Sequence, residues 1–386
     1  MVTQAGGMNA PTGADETAHR EQALIAHLVA AGYARHASAI LQPAATFLEL
    51  AGEDLRDRIF FTGDPSGAEF CLRPEFTIPV CRAYLASSEA GQRAAYSYLG
   101  PVFRYRAHGS SEFLQAGIES FAREDRAGAD AEIMTLALEA AEQAGAEGLA
   151  VKLGDAGLFS ALLNALKVDP AWLRRIRRGM ARGQSMAAIV APPANGSGAD
   201  HTGVLAAMQG VDRQGARKLV EDLLSIAGIS SVSGRSAGEI AERYLEQAAL
   251  QAGDGFSNEK RLVIEKYLAI SGDPDSAANA MRTLARDSGL DMNAALDEYD
   301  ARIGFIAARG FDVSRITFNA SFARNLDYYT GFVFEAADPG RPVSAPIVAG
   351  GRYDGMLMAL GAKAPIAAVG AAIWCDRLAR DAEVGS

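Results

Sequence analysis

Two blocks rich in β-branched and aromatic residues, separated by a long stretch of Ala, Leu, Glu and Arg, limit what this chain can fold into. In the first block, "RIFFTGDPSGAEFCLRPEF" reads as strand, turn and strand around GDPSG. "GPVFRYRAHGSSEFLQAGIES", residues 100–120, reads as a second hairpin. On one arm Phe103 and Tyr105 alternate with Arg104 and Arg106, and on the other Gln115, Gly117 and Glu119 share a face. Gly117 between the two polar residues leaves room for a ligand over the sheet. Helical signals flank these hairpins. Leu24, His27, Leu28 and Ala31 mark one face over residues 21–35, and "DAEIMTLALEAAEQAG" sets Ile133, Leu136, Ala137 and Ala140 on a buried stripe, with Asp130 suited to its N-cap. "GLAVKLGDAGLF" supplies a further strand.

The character changes at Asp169–Pro170, an N-cap followed by a first-turn proline. From there to about residue 295 helix signals dominate, among them a capping box of Ser236 and Glu239, with "PPANGSGAD" as a flexible loop. Arg174, Arg175, Arg177 and Arg178 read as an exposed, ion-paired helix face. Strand character returns in "RITFNASFARNLDYYTGFVFEAAD", "APIVAGGRYDGML" and "PIAAVGAAIWCDRLAR". The order of hairpins, helices and strands predicts an α+β fold with an antiparallel sheet flanked by helices. The expected organisation is a disordered tail over 1–20, one domain from 21–169 and 296–386, and a helical insertion over 170–295.

Several functional classes recede on composition. The net charge of −10 over 386 residues lacks the basic excess of a general nucleic-acid binder. No G-x-G-x-x-G follows a strand and no Walker sequence occurs, which removes the dinucleotide and P-loop readings. Three cysteines without ligand spacing and five scattered histidines predict neither a disulfide framework nor a metal site. No apolar run reaches the length of a membrane span, so a cytoplasmic protein without membrane association is expected.

What remains is a recurring inventory at the strand edges. Glu75 lies in "CLRPEFT", Arg104 and Arg106 face Gln115 and Glu119 across the hairpin, and "ARNLDYYTG" carries Arg324, Asp327, Tyr328 and Tyr329. An amide with carboxylates can hold an ammonium or a ring N–H, and arginines suit a carboxylate or phosphate. The combination fits an amino-acid zwitterion, whereas the same residues on a solvated sheet face would form ordinary salt bridges.

The segments resemble class II aminoacyl-tRNA synthetases, and among them the histidyl enzyme. "GPVFRYR…EFLQAGIE" is similar to motif 2, "VGAAIWCDRLAR" to motif 3, and Pro43 lies in a stretch similar to motif 1. "LRPEFT", "RNLDYYTGFVFE" and "AGGRYDG" resemble stretches peculiar to the histidyl family. The resemblance spans about residues 20–170 and 296–386. It implies that Glu75, Thr77 and Gln115 hold the ammonium of histidine, that Glu119 with Tyr329, next to Tyr328, holds the imidazole, and that Arg324 meets the carboxylate. It also implies that Arg104 and Arg377 descend from the arginines that grip ATP phosphates.

The departures matter as much. Arg106 stands where the family has an acid, the loop "AHGSS" is short, Asn325 replaces a glycine, and the sequence ends soon after Arg377, without the anticodon-binding domain of about a hundred residues. A chain of this kind resembles the regulatory subunits of ATP phosphoribosyltransferase, which are relatives of the histidyl enzyme. That resemblance implies a non-catalytic partner of a short-form catalytic subunit and a sensor of L-histidine. The nucleotide site of Arg104, Arg106 and Arg377 would be vestigial, with no cofactor and no tRNA. The alternative is a histidyl-adenylate-forming or histidyl-tRNA synthetase-like enzyme. The motif 1 segment "ATFLELAG", with Phe47, Leu48 and Leu50, is expected at a homodimer interface inside a hetero-oligomer.

Overall fold

The computed structural model describes residues 13–50, 53–107, 109–191, 215, 218, 222, 231–232, 235–236, 256–322, 328–340 and 345–378. The chain divides into a unit made of residues 1–162 and 266–386 and a unit made of 163–265.

A nine-stranded sheet organises the first unit, in the order β1-β5-β6-β14-β13-β12-β7-β11-β10. Its strands are β1 (Ala34–Arg35), β5 (Ala94–Phe103), β6 (Glu112–Phe121), β7 (Ala150–Asp155), β10 (Ser271–Gly272), β11 (Ile316–Asn319), β12 (Phe332–Ala337), β13 (Val348–Arg352) and β14 (Ala368–Trp374). Most pairs are antiparallel, but β1 runs parallel to β5 and β11 parallel to β7, so the sheet is mixed. A smaller sheet, β2-β4-β3, combines Leu41–Pro43, Glu69–Leu72 and Phe61–Gly63. The central hairpin has the register that its alternation implies, from Ala94 opposite Phe121 to Phe103 opposite Glu112.

The first six helices are α1 (Gly13–Ala30), α2 (Ala44–Leu50), α3 (Glu53–Arg56), α4 (Thr77–Ala86), α5 (Arg126–Gln143) and α6 (Ala156–Ala165), of which α1 and α5 pack on the large sheet and α2 on the small one. The helix α1 starts inside the segment read as a tail, and Leu24, Ile25 and Leu28 are its buried face. The helix α5 buries the expected stripe of Ile133, Leu136, Ala137 and Ala140. It begins earlier than expected, so Asp130 sits inside it rather than capping it.

In the second unit, α7 (Pro170–Ala181) starts at the expected cap, where Asp169 accepts from Ala171 N–H at 2.8 Å. A short α8 (Met186–Val190) follows, Ser231–Val232 and Arg235–Ser236 form a small two-stranded sheet (β8 and β9), and α9 (Asn258–Leu268) leads back into the first unit. The loop PPANGSGAD and Glu239 of the expected capping box lie outside the described residues.

Two further helices, α10 (Pro274–Asp287) and α11 (Asn293–Ala308), belong to the first unit, although α10 falls in the span read as the insertion. The reason is in the packing. Arg302 of α11 is buried and binds Asp130 of α5 at 2.9 Å and Asp155 of β7 at 2.6 Å. Arg352 binds the other Asp130 oxygen and Asp354, the latter at 3.0 Å. Removing one member of such a set leaves an uncompensated buried charge.

Phe47 is fully buried in a cluster with Cys71, Phe76, Val80 and Tyr98. It therefore packs its own core, not a subunit contact. Leu48 of the same helix is 37 % exposed, and nearby Ile40, Leu41, Phe60 and Phe61 also face outward, with Leu41 at 54 % exposure and Phe61 at 52 %.

Candidate functional site

One face of the large sheet carries Tyr98, Gln115, Gly117, Glu119, Gly351 and Gly370, because paired residues on neighbouring strands point the same way. Above it lies a cavity of about 230 Å³. Its wall includes Glu75, Thr77, Arg104, Gln115, Tyr328 and Tyr329, which the sequence singled out. It also includes Leu55, Arg58, Tyr353 and Trp374, for which sequence reading predicts no role.

Glu75 occupies the turn between β4 and α4, beyond the strand end where it was expected. Its carboxylate accepts Thr77 N–H at 2.6 Å and Ile78 N–H at 2.9 Å, the first amides of α4. A helix N-terminus is a natural place for that charge. Burial nevertheless raises its pKa, opposed by those amides and by Arg104. Arg104 lies past the end of β5 and donates Nε–H to Pro74 O at 2.5 Å. Its burial pulls its pKa down to about 10 against the opposing field of Glu75.

Gln115 is 1 % exposed, and its buried Oε1 has no hydrogen-bond partner among the described residues. An unpaired buried carbonyl costs free energy until something donates to it. It is therefore an acceptor open to a ligand.

Glu119 stands directly behind the cavity wall. Oε1 accepts from the hydroxyls of Thr77 at 2.7 Å and Tyr98 at 3.4 Å, and Oε2 accepts from Tyr353. Desolvation lifts its pKa to about 8, and those three donors oppose the rise. The carboxyl is thus mostly protonated near neutrality. Two glycines make this arrangement possible. A Cβ at Gly370 would overlap Glu119 Oε2, and one at Gly117 would overlap the Tyr98 hydroxyl. Gly117 accordingly makes room for a tyrosine ring, where the sequence suggested room for a ligand.

Two of the expected residues are elsewhere. Arg106, also beyond β5, binds Asp376 at 2.8 Å and lies over the Phe113 ring at 3.5 Å. Arg377 donates to Pro346 O and sits by the Trp374 ring. Neither lines the cavity. Arg324, Asn325 and Asp327 fall outside the described residues. The missed residues had different signals. Tyr353 lies in AGGRYDG, whereas Leu55 and Arg58 carried no local mark.

The cavity thus combines acceptors, phenols and guanidinium groups on a scale suited to one small zwitterion. The histidyl-tRNA synthetase family model matches residues 9–233 and 213–378. A curated relative from Mesorhizobium japonicum, an ATP phosphoribosyltransferase regulatory subunit, is 42 % identical over 351 residues, covering 88 % of this chain and 91 % of its own length. The relative of the same name from Brucella anthropi is 40 % identical over 345 residues, covering 88 % and 90 %. The chain belongs to the family of ATP phosphoribosyltransferase regulatory subunits.

Solved structures agree on the fold. One from Bacillus halodurans, described as an ATP phosphoribosyltransferase regulatory subunit/histidyl-tRNA synthetase, superposes with a TM-score of 0.67 at 21 % identity, covering 98 % of this chain and 82 % of that one. A histidyl-tRNA synthetase from Nostoc gives a TM-score of 0.61 at 14 % identity, covering 98 % and 75 %. The architecture is therefore that of class II synthetases, carried here by a regulatory-subunit family. Among the described residues no helix is long and apolar enough to cross a membrane.

Proposed function

We propose that this chain is a non-catalytic cytoplasmic subunit that a short-form ATP phosphoribosyltransferase catalytic subunit requires for activity. We propose further that its cavity holds L-histidine as the feedback signal for the first step of histidine biosynthesis. The observation that carries the ligand assignment is the set of acceptors around one small cavity: Glu75, Gln115 Oε1 with no partner among the described residues, and Glu119 behind Tyr353.

In this reading Glu75 and Gln115 receive the ammonium, with Thr77 beside them. Glu119 and Tyr329 receive the ring, against Tyr328, and Arg324 meets the carboxylate. A volume of about 230 Å³ suits a single amino acid. It is smaller than the roughly 300–1,000 Å³ usual for larger ligands. Arg106, engaged with Asp376, is not directed at a nucleotide in the cavity.

Histidine can act as a signal only if its affinity differs between two states of the complex. We place a homodimer contact on the outer side of the small sheet, where Leu41 and Phe60 flank Leu72. Those exposed side chains, together with Leu48, carry the role expected of Phe47, Leu48 and Leu50, of which Phe47 is buried.

The second reading, an enzyme that forms histidyl-adenylate, draws on Arg104 in the cavity wall. Two assays on the purified chain separate the readings. Calorimetry should show L-histidine binding in preference to other amino acids, and histidine-dependent ATP–pyrophosphate exchange should stay at background. Absence of histidine binding both with and without the catalytic subunit overturns the ligand assignment. Exchange that depends on Arg104 establishes the second reading.

A further inference from the structure

The cavity has a definite end. Residues 113, 115, 117 and 119 of β6 share the face that carries it. Gln115 lines its wall, and so does Trp374, which pairs with Gln115 on β14. Phe113, one step further along the same face, does not. Its ring is only 6 % exposed, although β6 begins at Glu112. The cover comes from the chain itself.

Strand β5 ends at Phe103, and the loop beyond it folds Arg106 back over β6. The guanidinium carbon lies 3.5 Å from the centroid of the Phe113 ring. Asp376 holds it there. This residue lies in the short turn Cys375–Arg377, which packs against β6, and its Oδ2 accepts from Arg106 Nη1 at 2.8 Å. The attachment is incomplete, since Arg106 Nη2 is buried with no hydrogen-bond partner among the described residues. A donor left in that state costs free energy.

A guanidinium is planar and delocalised, and it stacks on aromatic faces much as a flat ring does. The space it fills on Phe113 is therefore one that a planar heterocycle would fit. Cations stand close by. Arg58 and Arg104 line the adjoining cavity wall, and Arg104 feels the repulsion of Arg58, Arg106 and Arg377. A flat ring joined to an anion, the chemistry of a nucleotide, would satisfy both features.

We propose that Arg106 is a specificity-determining plug: held by Asp376, it occupies the Phe113 face and so restricts the cavity to a free amino acid. The inference rests on the histidine reading for what the cavity admits, and on the contacts of Arg106 with Phe113 and Asp376 for what it shuts out. An acidic side chain at position 106 could not act in this way, because the face of an aromatic ring is negative and repels a carboxylate. The arginine that departs from the synthetase pattern is thus what makes the plug possible.

The test titrates the full chain with L-histidine and with adenosine monophosphate by calorimetry. Wild type should bind histidine in preference. Arg106→Ala combined with Asp376→Ala removes the plug and its anchor while the net charge stays the same. That protein should bind the nucleotide at least about tenfold more tightly than wild type, the scale of one base stacked on an aromatic ring. Its affinity for histidine should not change. Adding Phe113→Leu should abolish the gain, because the stacking face is then lost. Asp376→Asn alone loosens the anchor, should give a smaller gain in the same direction, and serves if the double variant does not fold. No gain in either protein, or a gain that survives Phe113→Leu, overturns the plug. If wild type binds no histidine while the double variant gains the nucleotide, the plug stands and the histidine reading fails.

Discussion

Replacing Glu119 with glutamine should make the protein progressively more stable relative to wild type as the pH rises. The carboxyl is fully enclosed, and burial moves its pKa from 4.5 to about 8. Below 4.5 it is neutral in both the folded and unfolded chains, and the two proteins should differ by a fixed amount. Between 4.5 and 8 the unfolded chain releases a proton that the folded chain retains. The folded state then binds more protons, and stability must fall as pH rises. Each unit of that window costs wild type about 1.4 kcal/mol at the limit. Denatured-state structure and local relaxation reduce this, so a relative gain of about 2–4 kcal/mol is expected across the window. The amide of glutamine must find acceptors among the hydroxyls of Thr77, Tyr98 and Tyr353, but that offset does not vary with pH. Urea unfolding of both proteins at intervals from pH 5 to pH 9 gives the difference directly. A difference that stays flat over that range, or runs the other way, would falsify the view that Glu119 is held neutral by burial.

Arg302→Ala should cost about 3–5 kcal/mol in the same unfolding assay, because Asp130 and Asp155 would both lose their buried cation. A loss under 1 kcal/mol would show that water or rearrangement compensates them. Phe47→Asp should unfold the chain, since it places a carboxylate in a fully buried position. Leu41→Asp should leave the fold intact and shift the dimer toward monomer, and light scattering with circular dichroism separates the two outcomes. A folded, monomeric Phe47→Asp protein would return the interface to α2.

The parts of the fold set by local pattern were legible in the sequence. The hairpin of β5 and β6 follows from alternation on either side of a polar loop, and the buried stripe of α5 follows from its helical period. Features fixed by distant partners were not. Asp130 has the composition of a cap, and only Arg302 and Arg352, 172 and 222 residues away, turn it into the centre of a buried ion network. In the same way, α10 has the residues of an amphipathic helix in any domain, and composition cannot say which core receives it. At the cavity, Glu75 and Gln115 were marked by their motifs, while Arg58 carried no mark. Gly117 was read as space for a ligand because its true neighbour, the Tyr98 ring, comes from the facing strand.

The most direct test of the central claim is reconstitution with a purified short-form catalytic subunit. Condensation of ATP with phosphoribosyl pyrophosphate should be fast only when this chain is added. L-Histidine should then suppress it with wild type and much less with Glu119→Gln. A catalytic subunit equally active without this chain, or histidine inhibition of the same strength with the Glu119→Gln protein, would contradict the account.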